Sequence, residues 1–326
     1  MISPKKIKEQ LKIKNYSKIL SWRKEIKDII LKNSKKLLVI VWPCSIHNIN
    51  EWLDYAKKLK ELSVKYNNLF IVMRAYFEKP RSTIWWKWLI QDPDLDCSNN
   101  IEKWLFLARK FLLELEKIGL PAASELLEPL QVLYYEDLLS YWAIWARTTE
   151  SQVHRELASW CDFPIWFKNS TDGDFTNALN SILSASKNHS FLSVNEEWKI
   201  YIKNTAWNKF WHIILRWWKN GPNYDENTIN NVLEKTDKWI IVDVSHANSW
   251  KKAENQLKVV KDILAKIKNR KIAGLMIESN INFWNQSFNP CKDNKQNLKY
   301  GVSITDECVS LDQTDEILKI LNENLW

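Results

Sequence analysis

Eight short apolar runs, each followed by an amphipathic stretch, set the strongest limit on how this chain can fold. They are LLVIVWPCS (37–45), LFIVMRAYF (69–77), LPAASELL (120–127), YWAIWART (141–148), PIWFKN (164–169), HIILRWW (212–218), WIIVDVSHA (239–247) and IAGLMIES (272–279). Continuous apolar runs of this length belong to strands covered on both faces, as in parallel sheets. Between them, segments such as NEWLDYAKKLKELSVKY, NIEKWLFLARKFLLELEKIG, PLQVLYYEDLLS, ESQVHRELAS and DFTNALNSILSAS repeat apolar residues at helical spacing. Eight βα units predict an α/β fold, a (β/α)8 TIM barrel over residues 37–326. The segment SFLSVNEEWKIYIKN (190–204) alternates like an antiparallel hairpin and is expected to decorate the barrel. Residues 1–36 read as a helical N-terminal arm outside it.

With 326 residues, 45% of them hydrophobic, the chain can bury one large core. No apolar run approaches the ~18 residues of a membrane span, and MISPKKIKEQLKIK is too charged for a signal peptide. A cytoplasmic protein with no membrane partner is expected. The net charge of +8 comes from lysines scattered along helical stretches, with no arginine-rich tail, so no nucleic-acid partner is predicted. Cys44, Cys97, Cys161, Cys291 and Cys308 are odd in number and form no CxxC, which reads as reduced thiols.

Active sites of such barrels lie at the C-terminal ends of the strands, where a polar residue closing an apolar run is a candidate. Nearly every run closes that way: Cys44, Arg74 with Lys79 just beyond, Glu125, Arg147, Lys168, Arg216, His246 and Glu278. Each alone has a plainer explanation. A buried cysteine is usually a small hydrophobe, a lone histidine a satisfied core imidazole, Glu278 half of an ion pair, and Asp306 in SITDEC a helix cap. As a set the odds reverse, because Arg74, Lys79, Arg147, Lys168 and Arg216 would repel one another on one barrel mouth unless phosphate or carboxylate groups bound there. Cys44, His246, Glu278 and Asp306 offer sulfur, nitrogen and oxygen donors that suit one divalent Mn, Fe, Co or Zn ion, although their spacing makes no local motif.

The segments PCSIHN, MRAYFEKPRST, ARTTESQVHRELAS, FKNSTDG, HIILR, DVSHANS, NQS and SITDEC, in this order from about Leu37 to the C-terminus, resemble the type I 3-deoxy-D-arabino-heptulosonate 7-phosphate (DAHP) synthases. The resemblance implies a metal-dependent condensation of phosphoenolpyruvate with erythrose 4-phosphate, the first step of the shikimate pathway, releasing phosphate. It places the metal on Cys44, His246, Glu278 and Asp306, and phosphoenolpyruvate on Arg74, Lys79, Arg147, Lys168 and Arg216. Arg81 and Ser82 would take the phosphate of erythrose 4-phosphate, and Asp306 would also touch substrate. Lys79, Glu125, Lys168 and His246 are the residues expected to act in the chemistry, with Lys79 donating to the developing alkoxide and Glu125 placed to activate water. A homodimer or homotetramer is implied, as is an aromatic amino acid effector, although Val132 and Asp162 replace the proline and small polar residue common at that site. The related synthase that uses arabinose 5-phosphate is the rival enzyme, and KPRST followed by ARTTESQVHR favours the four-carbon sugar.

Against the family pattern, Trp42, Trp85, Trp88, Trp142, Trp145, Trp166, Trp207, Trp217, Trp218 and Trp284 stand where glycine is usual; Trp86 stands where the family itself has tryptophan. The chain has 5 glycines and 20 tryptophans, where an average protein of this length would hold roughly 23 glycines. This is the pattern expected if UGA codons that mean glycine in the gene's own organism are translated as tryptophan. If the tryptophans are literal, the alternative is a non-catalytic or regulatory anion-binding barrel with a crowded pocket.

Overall fold

The computed structural model describes the chain apart from residues 45–46, 78–91, 145, 147, 171–173, 217–220, 269–271, 290–291 and 326. Eight parallel strands close into a barrel: β1 (Leu37–Trp42), β2 (Leu69–Arg74), β3 (Ala122–Glu125), β4 (Tyr141–Ile144), β5 (Ile165–Lys168), β8 (Trp211–Leu215), β9 (Ile240–Asp243) and β10 (Ile272–Glu278). Around the ring the order is β1, β10, β9, β8, β5, β4, β3, β2, with β1 pairing both β2 and β10. All eight predicted runs are these strands. Between β5 and β8 the chain makes an antiparallel pair, β6 (Ser190–Val194) with β7 (Ile200–Asn204), which forms a separate two-stranded sheet as the alternation at 190–204 predicts.

Side chains alternate along each strand between two packing environments. Leu38, Ile40 and Trp42 of β1 meet Val72, Ala123, Tyr141, Ala143, Trp166, Ile214, Ile241 and Met276 inside the ring. Leu37, Val39 and Val41 face outward onto surrounding helices, against residues such as Trp52, Tyr55, Leu59 and Leu321. Two helices precede β1: α1 (Pro4–Gln10) and α2 (Tyr16–Ile30). Ile26, Ile29 and Ile30 of α2 join the interior cluster rather than the outer one, so α2 packs across the end of the barrel where the strands begin. Arg23 fixes it there, with Nε donating to the carbonyl of Leu139 at 2.9 Å, Nη2 to that of Glu136 at 2.9 Å, and its guanidinium 4.0 Å from the Phe163 ring.

Two sequence expectations are corrected. PLQVLYYEDLLS does not run as one helix but breaks into a turn of α-helix, Pro129–Val132, and a 3-10 turn, Glu136–Leu138. Arg109 holds the break, Nη1 donating to the carbonyl of Tyr134 at 2.9 Å and to Asp137 Oδ1 at 2.7 Å. The cysteines are not all reduced: Cys97 is in a disulfide, while Cys44, Cys161 and Cys308 are in none. Among the described residues, no helix is long and apolar enough to cross a membrane.

Gly274, inside β10, sits where the register between β9 and β10 shifts, and a Cβ added there would lie 2.2 Å from the carbonyl oxygen of Leu38 on β1. No side chain can yield at that contact, because the obstacle is the neighbouring backbone. Gly274→Ala is therefore expected to destabilise the fold by about 3 kcal/mol or more, read as a lower urea midpoint with unchanged slope; an unchanged midpoint would contradict the packing of β10 on β1.

Candidate active site

The C-terminal ends of β1, β2, β3, β5, β8, β9 and β10 all deliver polar side chains to the same mouth. Three potential donors lie closest together: one ligand atom each of Cys44, Glu278 and Asp306, all within 4.8 Å of one another. Cys44 follows β1 by two residues and is buried, its Sγ 3.2 Å from Asp306 Oδ2. Glu278 ends β10, and its main chain is clamped on both sides by Gln256, which accepts from the Glu278 N–H and donates to the Glu278 carbonyl, each at 3.0 Å. Asp306 comes from the long segment after β10, which is tied to the end of that strand where the Val309 N–H donates to the Glu278 carbonyl at 3.0 Å, and is folded on itself by the Trp284–Cys308 and Asn285–Ser303 bridges. Asp306 is not a helix cap: the last helix, Leu311–Asn324, is capped by Ser310 in a reciprocal box with Gln313.

His246 adjoins this cluster without being among its closest three. Its Nε2 lies 3.9 Å from Glu278 Oε1, while Nδ1 is 2.9 Å from Asp243 Oδ2. Asp243, the last residue of β9, also accepts at Oδ1 from the Ser245 N–H at 3.1 Å and from the Ser245 hydroxyl at 2.6 Å. The Ser245 hydroxyl, which gives its own proton to Asp243 Oδ1, is hydrogen-bonded to His246 Nδ1 at 2.8 Å, so Nδ1 is the donor and the Nε2 lone pair is turned toward Glu278. Burial, reinforced by Arg216, pushes the imidazole below its ordinary pKa against the opposing pull of Asp243 and Glu278, which keeps it neutral and able to ligate. Burial acts to raise the Asp243 carboxyl, but His246, Lys168 and Arg216 outweigh it and hold the group well below the usual carboxylate range. His246 itself adopts φ 53°, a left-handed conformation that non-glycine residues rarely take and that clusters at functional sites.

Across from these donors sit the cations. Arg74, ending β2, has its guanidinium stacked between the rings of Trp42, 3.5 Å away, and Tyr76, 3.9 Å away. Its Nε and Nη1 are buried with no hydrogen-bond partner among the described residues. Lys168, ending β5, is completely buried, and its pKa is pushed down to about 7 by burial first, then by Arg216 and Arg74, against the attraction of Asp243 and Glu125. Arg216 follows β8 directly, its main-chain N–H donating to Asn169 Oδ1 at 2.9 Å. Glu125 ends β3, buried, and its charge reaches Lys168 and Tyr76. So Cys44, Arg74, Glu125, Lys168, Arg216, His246, Glu278 and Asp306 share one mouth. Lys79, Arg81, Ser82 and Arg147 lie outside the described residues.

Sequence reasoning passed over two contributors, Asp243 and Tyr76. Asp243 had a signal: it closes an apolar run and stands three residues before His246. Tyr76 had none, since a tyrosine after a strand reads as core.

The cluster's chemistry fits one divalent ion of borderline softness, since a thiol, a neutral imidazole and two carboxylates are the donors such ions take. One feature crowds it. Trp42 is fully buried at the end of β1, its Nε1 donates to Glu278 Oε1 at 3.2 Å, and its ring lies 6.0 Å from that of His246.

Comparison with known proteins agrees with this arrangement. The model of the DAHP synthetase I family matches residues 8–319. The chain is 41% identical over 335 residues to the Tyr-sensitive phospho-2-dehydro-3-deoxyheptonate aldolase of Escherichia coli K12, covering 100% of this chain and 93% of that protein. It is 40% identical to the phenylalanine-inhibited enzyme of Saccharomyces cerevisiae, covering 96% of this chain and 87% of that one. A solved phospho-2-dehydro-3-deoxyheptonate aldolase from Francisella tularensis superposes with a TM-score of 0.95 at 40% identity, covering 100% of this chain and 96% of that one. With a closed eight-stranded parallel barrel, a single mouth of strand-end residues and a family match across nearly the whole length, the chain belongs to the DAHP synthetase I family.

Proposed function

We propose that this protein is a DAHP synthase: it joins phosphoenolpyruvate to erythrose 4-phosphate and releases phosphate, using one divalent ion held by Cys44, His246, Glu278 and Asp306. The observation that carries the reading is Arg74, a buried guanidinium beside the donor cluster whose Nε and Nη1 find no partner among the described residues. Burying unpaired charge is costly, so such a group is kept for an anion that completes it. Arg74, Lys168 and Arg216 are assigned to the phosphate and carboxylate of phosphoenolpyruvate, and Lys79 and Arg147 are assigned with them from the sequence pattern. Arg81 and Ser82 are assigned to the phosphate of erythrose 4-phosphate.

A divalent ion in this cluster supplies Lewis acidity to an aldehyde oxygen. The chain's own residues do the rest. Ser245 and Asp243 together keep His246 in one tautomer and one orientation. The guanidinium groups hold two anionic substrates in one orientation, which turns a bimolecular encounter into a nearly unimolecular one. Lys79 is assigned as proton donor to the alkoxide that forms on C–C bond formation, and Glu125, beside Lys168, as the group that orients water toward C2.

The direct test is phosphate release from phosphoenolpyruvate with the chain as written and with Trp42→Gly. Release should require erythrose 4-phosphate, stop on chelation and return with manganese. Release with arabinose 5-phosphate instead would move the assignment to the rival synthase, and none with either sugar in both proteins would overturn it.

A pH dependence follows from Lys168. Before the anion enters, the ammonium is half charged near pH 7 and fully charged only well below it; a bound phosphoenolpyruvate anion favours the charged form and raises that pKa. Affinity should therefore be greatest below pH 7 and decline as pH rises toward the pKa of the complex. Calorimetry at pH 8 in buffers of different ionisation enthalpy should show close to one proton taken up on binding, abolished in Lys168→Met. Equal heats in all buffers would remove Lys168 from the anion site.

For the effector, we assign a mostly apolar cavity of about 310 Å³ between one face of the Gln152–Trp160 helix and the β6–β7 hairpin, lined by Leu133, Leu157, Trp160, Phe191 and Val194. Relatives are named Tyr-sensitive or phenylalanine-inhibited, and an aromatic ring suits these walls. Val132 is buried beside this region, while Asp162 is exposed and 3.7 Å from Arg23 Nη1. One of phenylalanine, tyrosine or tryptophan at millimolar concentration should raise Tm, an effect lost in Leu133→Arg; no shift with any of them would remove the assignment.

A further inference from the structure

Three tryptophans adopt the left-handed backbone that bulky residues avoid: Trp198 at φ 65°, Trp250 at φ 57° and Trp284 at φ 87°. They are three of nine non-glycine residues with positive φ among those described. Each stands where a chain ordinarily needs glycine. Trp198 closes the loop between β6 and β7, its N–H donating to Asn195 O while the Asn195 N–H donates to Lys199 O, both at 3.0 Å. A tight turn followed by one left-handed residue is the bulged hairpin for which glycine is standard. Trp250 terminates the 3-10 turn His246–Ser249 as its left-handed cap, the position glycine serves at helix ends. Trp284 bridges to Cys308, its N–H donating to Cys308 O at 2.9 Å, with its indole 41% exposed.

Four of the five written glycines are among the described residues, and three of them do the same work. Gly119, Gly221 and Gly301 have positive φ, and Gly274 has no room for a Cβ. The indole N–H groups of Trp166, inside the barrel, and of Trp142, which packs outward against Trp160 and Phe163, are buried without a partner among the described residues, as are those of Trp52 and Trp104, whereas buried indoles normally find one. Of the three left-handed positions, the family pattern singles out Trp284 alone; Trp198 and Trp250 are identified by backbone geometry.

We propose that positions 198, 250 and 284 are glycine in the protein as its own organism makes it, encoded by UGA read there as glycine, and that the same reading at position 42 clears the mouth of the barrel. The indole at 42 touches three groups on which the proposed function rests. It donates to Glu278, covers one face of Arg74 and lies beside His246. Glycine there returns Glu278 Oε1 to the ion and opens one face of Arg74 to an anion. This second half rests on the DAHP synthase reading, whereas the first half stands on backbone geometry alone.

Three measurements decide it. The gene should carry UGA at 42, 198, 250 and 284; UGG at 198, 250 or 284 overturns the first half and UGG at 42 the second. With glycine at 198, 250 and 284 together, Tm should exceed that of both the chain as written and the matching triple-alanine protein. Alanine equalling glycine would mean that bulk, not backbone, is at fault, and would overturn the geometric argument. Manganese binding, followed by loss of the free-ion electron paramagnetic resonance signal, should be at least about tenfold tighter in Trp42→Gly, a difference of about 1.4 kcal/mol. Equal binding overturns the position-42 half and leaves the proposed function standing; no binding in either protein overturns the metal assignment and that half with it, while the codon and Tm results still decide the rest.

Discussion

The pairing of β1 with both β2 and β10 is the constraint on which the rest depends. Closure leaves no sheet edge and points every strand the same way, so residues far apart in sequence, from Cys44 to Asp306, reach one opening. The register that closes the ring also sets the site. Trp42 is paired opposite Glu278, which is how their side chains come to touch.

The mouth is an electrostatic compromise. Arg74, Lys168 and Arg216 would not share this space without the carboxylates of Glu125, Asp243 and Glu278 nearby, and at Lys168 burial first, then Arg216 and Arg74, still outweighs Asp243 and Glu125, so neutralisation is incomplete. Incomplete neutralisation is useful here, because it is made up only when an anion enters. Asp243 serves both sides of this arrangement. It orients a candidate ligand and moderates two cations.

Most of the fold was legible because parallel strands buried on both faces must be continuously apolar, and each run from Leu37 to Glu278 announced itself that way. The strand-end residues were legible for the complementary reason: a charged group closing such a run has somewhere particular to be. What could not be read had no local cause. The break after Val132 is enforced by Arg109 from another helix, and the bond at Cys97 depends on tertiary approach. Asp243 was visible but looked like the tail of its strand. The conformations of Trp198 and Trp250 were hidden because the usual marker of a left-handed residue, the letter for glycine, is missing from both positions.

The placement of α2 carries a consequence for how this chain can be handled. Ile26, Ile29 and Ile30 belong to the interior of the ring, and Arg23 donates to two main-chain carbonyls as well as contacting side chains. The leading segment is thus a stopper and not a tag. A version trimmed to begin at the first strand would leave the floor of the packed interior beneath Leu38 and Ile40 bare to water, and the loss would be felt at the far end of the ring, where the reactive groups stand on that same column of side chains.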